Sequence, residues 1–88
     1  MAPDEGPFRY RTDVLAELAR HGVQPTSYSN PELVRAFVRD LYRYEIRRLR
    51  ERYLGREFPK GEYYDRVDRL RRTYPVLALL PAQMIEER

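Results

Sequence analysis

Between Glu32 and Leu54 the chain contains neither glycine nor proline, and this one stretch constrains most of what it can become. The stretch opens on a strong start signal. Asn30 can accept a hydrogen bond from the backbone at a helix N-terminus, and Pro31 suits the first helical position. Glu32 then sets a negative charge against the positive end of the helix. Gly55 supplies the stop. A helix over 31–54 is a rod of roughly 36 Å. In a chain of 88 residues, such a rod becomes the axis on which everything else is hung.

Two further helices flank it. The first is expected over Thr12 to His21, with Thr12 as N-cap, Asp13 in the first turn and Gly22 just past the end. Another is expected from about Lys60 to Tyr74, where Pro75 stops it. The link 55–61 holds two glycines and a proline and is short enough to make its helices antiparallel neighbours. After Pro75 an apolar run, Val76 to Leu80, leads to Pro81 and an expected short C-terminal helix holding Met84 and Ile85. No segment alternates with period two over the length of a strand. The expected fold is therefore all-α: a small helical domain of three main helices plus a short C-terminal one, built around an antiparallel hairpin. Residues 1–11, with two prolines and a glycine, read as an extended or disordered arm whose Phe8 and Tyr10 can dock on the body; 12–88 are expected to form one domain.

The hairpin has its own signature. Tyr42, Ile46, Leu49 and Tyr53 fall at i, i+4, i+7 and i+11, and Tyr63, Val67, Leu70 and Tyr74 fall at the same spacing in the same order of types. Each set makes a narrow apolar seam of the kind two helices use to close on each other, and Phe58 lies at the tip between them. The first half of the long helix carries a separate stripe, Leu33, Val34, Phe37, Val38 and Leu41, about 120° round from the seam. That stripe is expected to receive the first helix and the C-terminal apolar run.

Composition excludes several kinds of chemistry. There is no cysteine, one histidine and four glycines, so disulfide frameworks, thiol nucleophiles, multi-histidine metal sites and Gly-rich phosphate loops all drop out. His21 lies at a helix C-terminus, where it needs no catalytic role, and Ser27 and Ser29 belong to a capping loop. Adjacent carboxylates occur only as Asp4-Glu5 and Glu86-Glu87, near the ends of the chain, where pKa tuning by burial is not expected. No nucleophile–base pair can be assembled, so no enzyme, cofactor or small-molecule substrate is expected. The longest apolar run is far short of a membrane span, and residues 2–7 are acidic and proline-bearing, unlike a signal peptide; a cytoplasmic protein is expected.

The charge is the remaining clue. Seventeen basic residues oppose fourteen acids, for a net charge of +3, and only Lys60 among the bases is lysine. Such arginine use suits bidentate contacts to anions, and it also suits the surface ion pairs of a GC-rich or thermophilic source. Arg35, Arg39, Arg43 and Arg47, with Arg50 in the same sector, form a ridge along the long helix that could follow a nucleic-acid backbone. Against this, Asp40–Arg43, Glu45–Arg48 and Arg47–Glu51 stand at i+3 or i+4 and are expected to pair off part of the charge. A second basic cluster, Arg66, Arg69, Arg71 and Arg72, is interleaved with Asp65 and Asp68. A helix-turn-helix is disfavoured, because the link from Gly22 to Asn30 is too long and the arginines do not gather at the N-terminus of the second helix.

Eight tyrosines add a binding surface in prospect. Tyr28, Tyr44 and Tyr64 fall outside the seams and are candidate interface residues, together with Val76, Leu77, Leu80, Met84 and Ile85 of the C-terminal segment. The sequence thus leads first to a non-catalytic protein-interaction or oligomerising module. Its alternative is a nucleic-acid-binding accessory protein acting through the Arg35–Arg50 ridge.

Overall fold

The computed structural model describes residues 6–86. Three α-helices carry the chain: α1 over Thr12–Arg20, α2 over Pro31–Leu54 and α3 over Lys60–Arg72. Two 3₁₀ turns follow, Pro75–Ala78 and Pro81–Gln83. Among the described residues there is no strand, only an isolated antiparallel bridge between Tyr10 and Ile85.

α2 begins and ends where its sequence signals stand. Asn30 Oδ1 accepts from the Glu32 amide at 2.9 Å, and Gly55 caps the C-terminus. Gly22, φ 75°, takes the left-handed conformation that ends α1, and Val23 N–H then reaches back to the Leu18 carbonyl at 3.0 Å. Thr12 does not cap α1. Arg11 is the cap residue, and Asp13 Oδ1 bonds the Val14 amide instead. At the hairpin tip the positive φ falls on Arg56 (61°), one residue past Gly55.

α2 and α3 pack antiparallel along the two tyrosine seams. Leu49 and Phe58 are buried there, and the rings of Tyr53 and Tyr63 stack at 4.7 Å. The main core lies at the other end of the rod. Tyr10, Val14, Leu18, Val38, Tyr74, Val76 and Met84 form it, with Phe8, Val34, Leu41 and Ile85 packed around them. The molecule is thus a small head on a two-helix stalk, 55 × 17 × 16 Å, with a radius of gyration of 16.0 Å. A compact chain of this length has about 12 Å.

The C-terminal segment departs from the expected α-helix. Pro75 and Pro81 stand six positions apart, and each opens a turn too short to propagate. The resulting 3₁₀ turns form a wedge that packs on both α1 and α2. Backbone bonds lock the wedge to the N-terminal arm: Arg11 N–H to the Met84 carbonyl at 3.0 Å and Glu86 N–H to the Arg9 carbonyl at 2.7 Å. The arm also docks on the loop ahead of α2. Phe8 N–H bonds the Ser27 carbonyl, and a Cβ on Gly6 would stand 2.3 Å from that same oxygen, so only glycine fits there. Residues 1–5, the rest of the arm, lie outside the described residues, as do 87–88.

Two substitutions separate head from stalk. Met84→Ala empties a fully buried site and is expected to cost about 2–5 kcal/mol in a urea melt. Leu49→Asp sets a charge into the seam and is expected to lower the melting temperature sharply; an unchanged melt would mean the stalk helices do not close as described.

Candidate functional site

The arginine ridge divides in two. Arg35 turns inward: its Nε donates to the Leu79 carbonyl at 2.8 Å and its Nη2 to the Leu77 carbonyl at 2.7 Å. It bolts the wedge to α2 and drops out of the expected ridge. Arg39, Arg43, Arg47 and Arg50 do project as a row and are exposed. Among the described residues none of the three expected pairs, Asp40–Arg43, Glu45–Arg48 or Arg47–Glu51, forms an ion pair. The reason is partly energetic and partly local. Exposed pairs gain little over hydration, and Glu45 is occupied by the hydroxyl of Tyr74. Among the described residues six ion pairs form, and they share no residue with one another, so they make no network there.

A second surface runs beside the ridge. Leu33, Val34, Phe37, Val38 and Leu41 were expected to be covered by α1 and the C-terminal run. Only Val38, Val34 and Leu41 join the head core, in which α2 packs on the wedge. Leu33 and Phe37 stay 70% and 54% exposed, and Tyr44, 56% exposed, lies on the same side of α2. At about 100° per residue these three side chains share one face, roughly 100° round from the ridge. The guanidinium of Arg48 sits 6.0 Å from the Tyr44 ring centre.

The interface candidates of the C-terminal segment need correction. Val76, at 2% exposure, and Met84, at 0%, are core residues and can meet no partner. Leu77 and Ile85 are half-buried against the same core. Leu80 is exposed, as are Tyr28 on the loop before α2 and Tyr64 on the stalk. The last three lie on separate elements and make no single patch with the Leu33 stripe.

Several polar groups in the head are matched to partners, while the buried Glu17 Oε2 of α1 has none among the described residues. His21 stacks on Tyr74 with ring centres 4.1 Å apart, and its Nε2 donates to the Thr73 carbonyl at 2.7 Å. The hydroxyl of Tyr74 donates to Glu45, and that of Tyr10 to the Ser29 carbonyl at 2.6 Å. Burial pushes the Tyr10 phenol up to about 12. It raises Tyr74 further, and the Glu45 carboxylate adds to the effect. Among the described residues no three His, Cys, Asp or Glu side chains gather as metal ligands, and no helix is long and apolar enough to cross a membrane. Comparison with protein-family models, with curated proteins and with solved structures returns no match.

Two outcomes test these assignments. Arg35→Ala leaves two carbonyls of the wedge unpaired and is expected to cost about 2 kcal/mol, whereas Arg39→Ala is expected to leave the melt unchanged. Both buried tyrosines ionise near pH 10 when unfolded and later when folded. Stability is therefore complete below pH 10 and falls as pH rises beyond it, by up to about 1.4 kcal/mol per pH unit for each phenol. Melts taken in steps through pH 10 read the slope; a flat profile would mean that neither hydroxyl is held as described.

Proposed function

We propose that the chain is a non-catalytic protein-interaction module whose partner seats on the outer face of α2. The observation that carries this reading is the exposure of Leu33, Phe37 and Tyr44 along one side of α2. Apolar and aromatic anchors with arginine at their edge are the composition of a binding hot spot. A helix face of this kind takes an apolar stripe presented at helical spacing. Arg39 and Arg43 stand on the ridge side of the anchors and Arg48 on the other. A second copy of the chain would set arginine edge against arginine edge. The partner that fits is another protein, with an apolar stripe flanked by acidic residues. We place the module in the cytoplasm, since a chain without cysteine draws nothing from an oxidising compartment.

A second reading rests on a separate observation. Arg39, Arg43, Arg47 and Arg50, free of ion pairs among the described residues, run about 16 Å along α2 and could engage successive phosphates of a nucleic acid.

Selection of helical peptides displayed against the intact protein tests the first reading. Binders are expected to carry Asp or Glu beside an apolar stripe, and to lose affinity about tenfold or more when Leu33 and Phe37 are changed to Ser, with the melt unaltered. Binders indifferent to those changes would remove α2's apolar face from the account. Titration with random-sequence RNA and DNA decides the alternative. Binding that falls steeply with salt and is lost in the Arg39, Arg43, Arg47→Ala triple variant replaces the first reading with the second.

A further inference from the structure

On the opposite side of α2 from the ridge, about 180° round the helix, the stalk leaves an open groove of about 420 Å³ between α2 and α3. Leu49 and Leu70 line its floor, Arg48 and Arg52 rise from α2, and Arg66 and Arg69 rise from α3. The volume is that of a small-molecule site, and well below what a protein or duplex surface would need.

Two of the four guanidinium groups are braced. Arg66 lies 4.4 Å from the ring centre of Phe58 and donates twice to Glu62, at 3.0 and 2.7 Å. Arg52 lies 5.5 Å from the same ring and donates to Glu57 at 3.2 Å. The buried tip ring thus fixes one arginine from each helix at the outer end of the groove. Ordering these side chains beforehand lowers the entropy that a ligand must overcome.

The other two are unmatched. Among the described residues neither Arg48 nor Arg69 forms an ion pair, although each has acids within one helical turn. Those acids are engaged elsewhere or turned to solvent. Glu45, the one carboxylate lining the groove, takes the Tyr74 hydroxyl, and Asp68 pairs with Arg72. Two unpaired arginines, Arg48 and Arg69, and two paired ones, Arg52 with Glu57 and Arg66 with Glu62, therefore stand around one apolar floor, with the charged Glu45 beside them accepting from Tyr74. The mutual repulsion of the unpaired two is strengthened by that floor, and an anion of several charges relieves it more than one of single charge. The planar forks of arginine match phosphate oxygens two at a time.

We propose that this groove binds a compact polyphosphate, an anion carrying two or more linked phosphate groups, with Arg48 and Arg69 as its principal ligands and Arg52 and Arg66 as a braced second pair. The site is distinct from the ridge and shares only Arg48 with the edge of the apolar face on α2. Linked phosphates occur free and on nucleotides, and the groove's chemistry is common to both.

Calorimetric titration of the intact protein with tripolyphosphate, and separately with ATP, tests the site at about 50 mM salt and again at a few-fold higher salt. Saturable binding at one site is expected, weaker at the higher salt. It is expected to weaken about tenfold or more in the Arg48→Gln, Arg69→Gln double variant and to be unchanged in Arg43→Gln, Arg47→Gln. Both pairs are exposed, and a thermal melt checks that each variant is folded. Tighter binding of ATP identifies a nucleotide as the source; equal or weaker binding identifies free polyphosphate. Absence of saturable binding at the lower salt, or equal losses in the groove and ridge variants, overturns the proposal.

Discussion

The buried ring of Tyr74 is where all three helices are held together. It stands just past the end of α3, lies flat against His21 at the end of α1, and meets Tyr42 of α2 edge-on at 5.4 Å. A buried phenol needs a partner for its hydroxyl, and Glu45 of α2 supplies it. Pro75 follows at once, ends α3 and turns the chain back as the wedge that carries Val76 and Met84 into the core. This one placement has an electrostatic consequence. Glu45, one of two acids within a helical turn of Arg48, gives an oxygen to Tyr74 and forms no ion pair with Arg48.

Head and stalk differ in how they are stabilised. The head buries aliphatic and aromatic side chains from five segments, where most of the hydrophobic free energy of a small domain must reside. The stalk has two helices and little interior; α3 has no buried residue at all. Its cohesion comes from Leu49, half-buried seam residues and the stacked rings of Tyr53, Phe58 and Tyr63. Aromatic pairs of this sort add about 0.5–1.5 kcal/mol each beyond their area. The tip arginines lie on the same rings, so the stalk is held together by the very groups that order its basic groove. A thin element of this kind belongs to the end of a protein's stability range where binding surfaces are commonly found.

The elements written in local signals were legible in the sequence. Asn30-Pro31 and Gly55 bound α2, Gly22 ends α1, and the repeated spacing of Tyr42–Tyr53 and Tyr63–Tyr74 draws the hairpin seam. The features that depend on which element comes to lie where were not. Periodicity marks Leu33 and Phe37 as one apolar face with Val34 and Val38, but it does not say how far round the rod the covering segment reaches. The spacing of Arg35 is that of a solvated ridge residue; only the position of the wedge carbonyls turns it inward. Likewise Arg48 and Arg52 fall on one helix and Arg66 and Arg69 on another, and nothing in either helix alone shows that they enclose a common groove. The i+3 and i+4 pairs mark opportunities, and the tertiary hydrogen bond of Tyr74 withdrew one of them.

The exposed apolar face of α2 and the groove meet at Arg48. Its guanidinium lies by the ring of Tyr44, at the distal end of the exposed apolar face, while the same side chain lines the groove against α3. An exposed arginine–aromatic contact is worth only about 0.5–1 kcal/mol, less than a bidentate bond to a phosphate would gain. An anion in the groove would therefore draw Arg48 away from Tyr44 at small cost. That movement would leave the Tyr44 ring wholly open to a partner and remove one positive charge from the edge of its docking face. Tyr44 stands one helical turn before Arg48, a spacing that would let the two proposed surfaces communicate through one side chain without any change in the backbone.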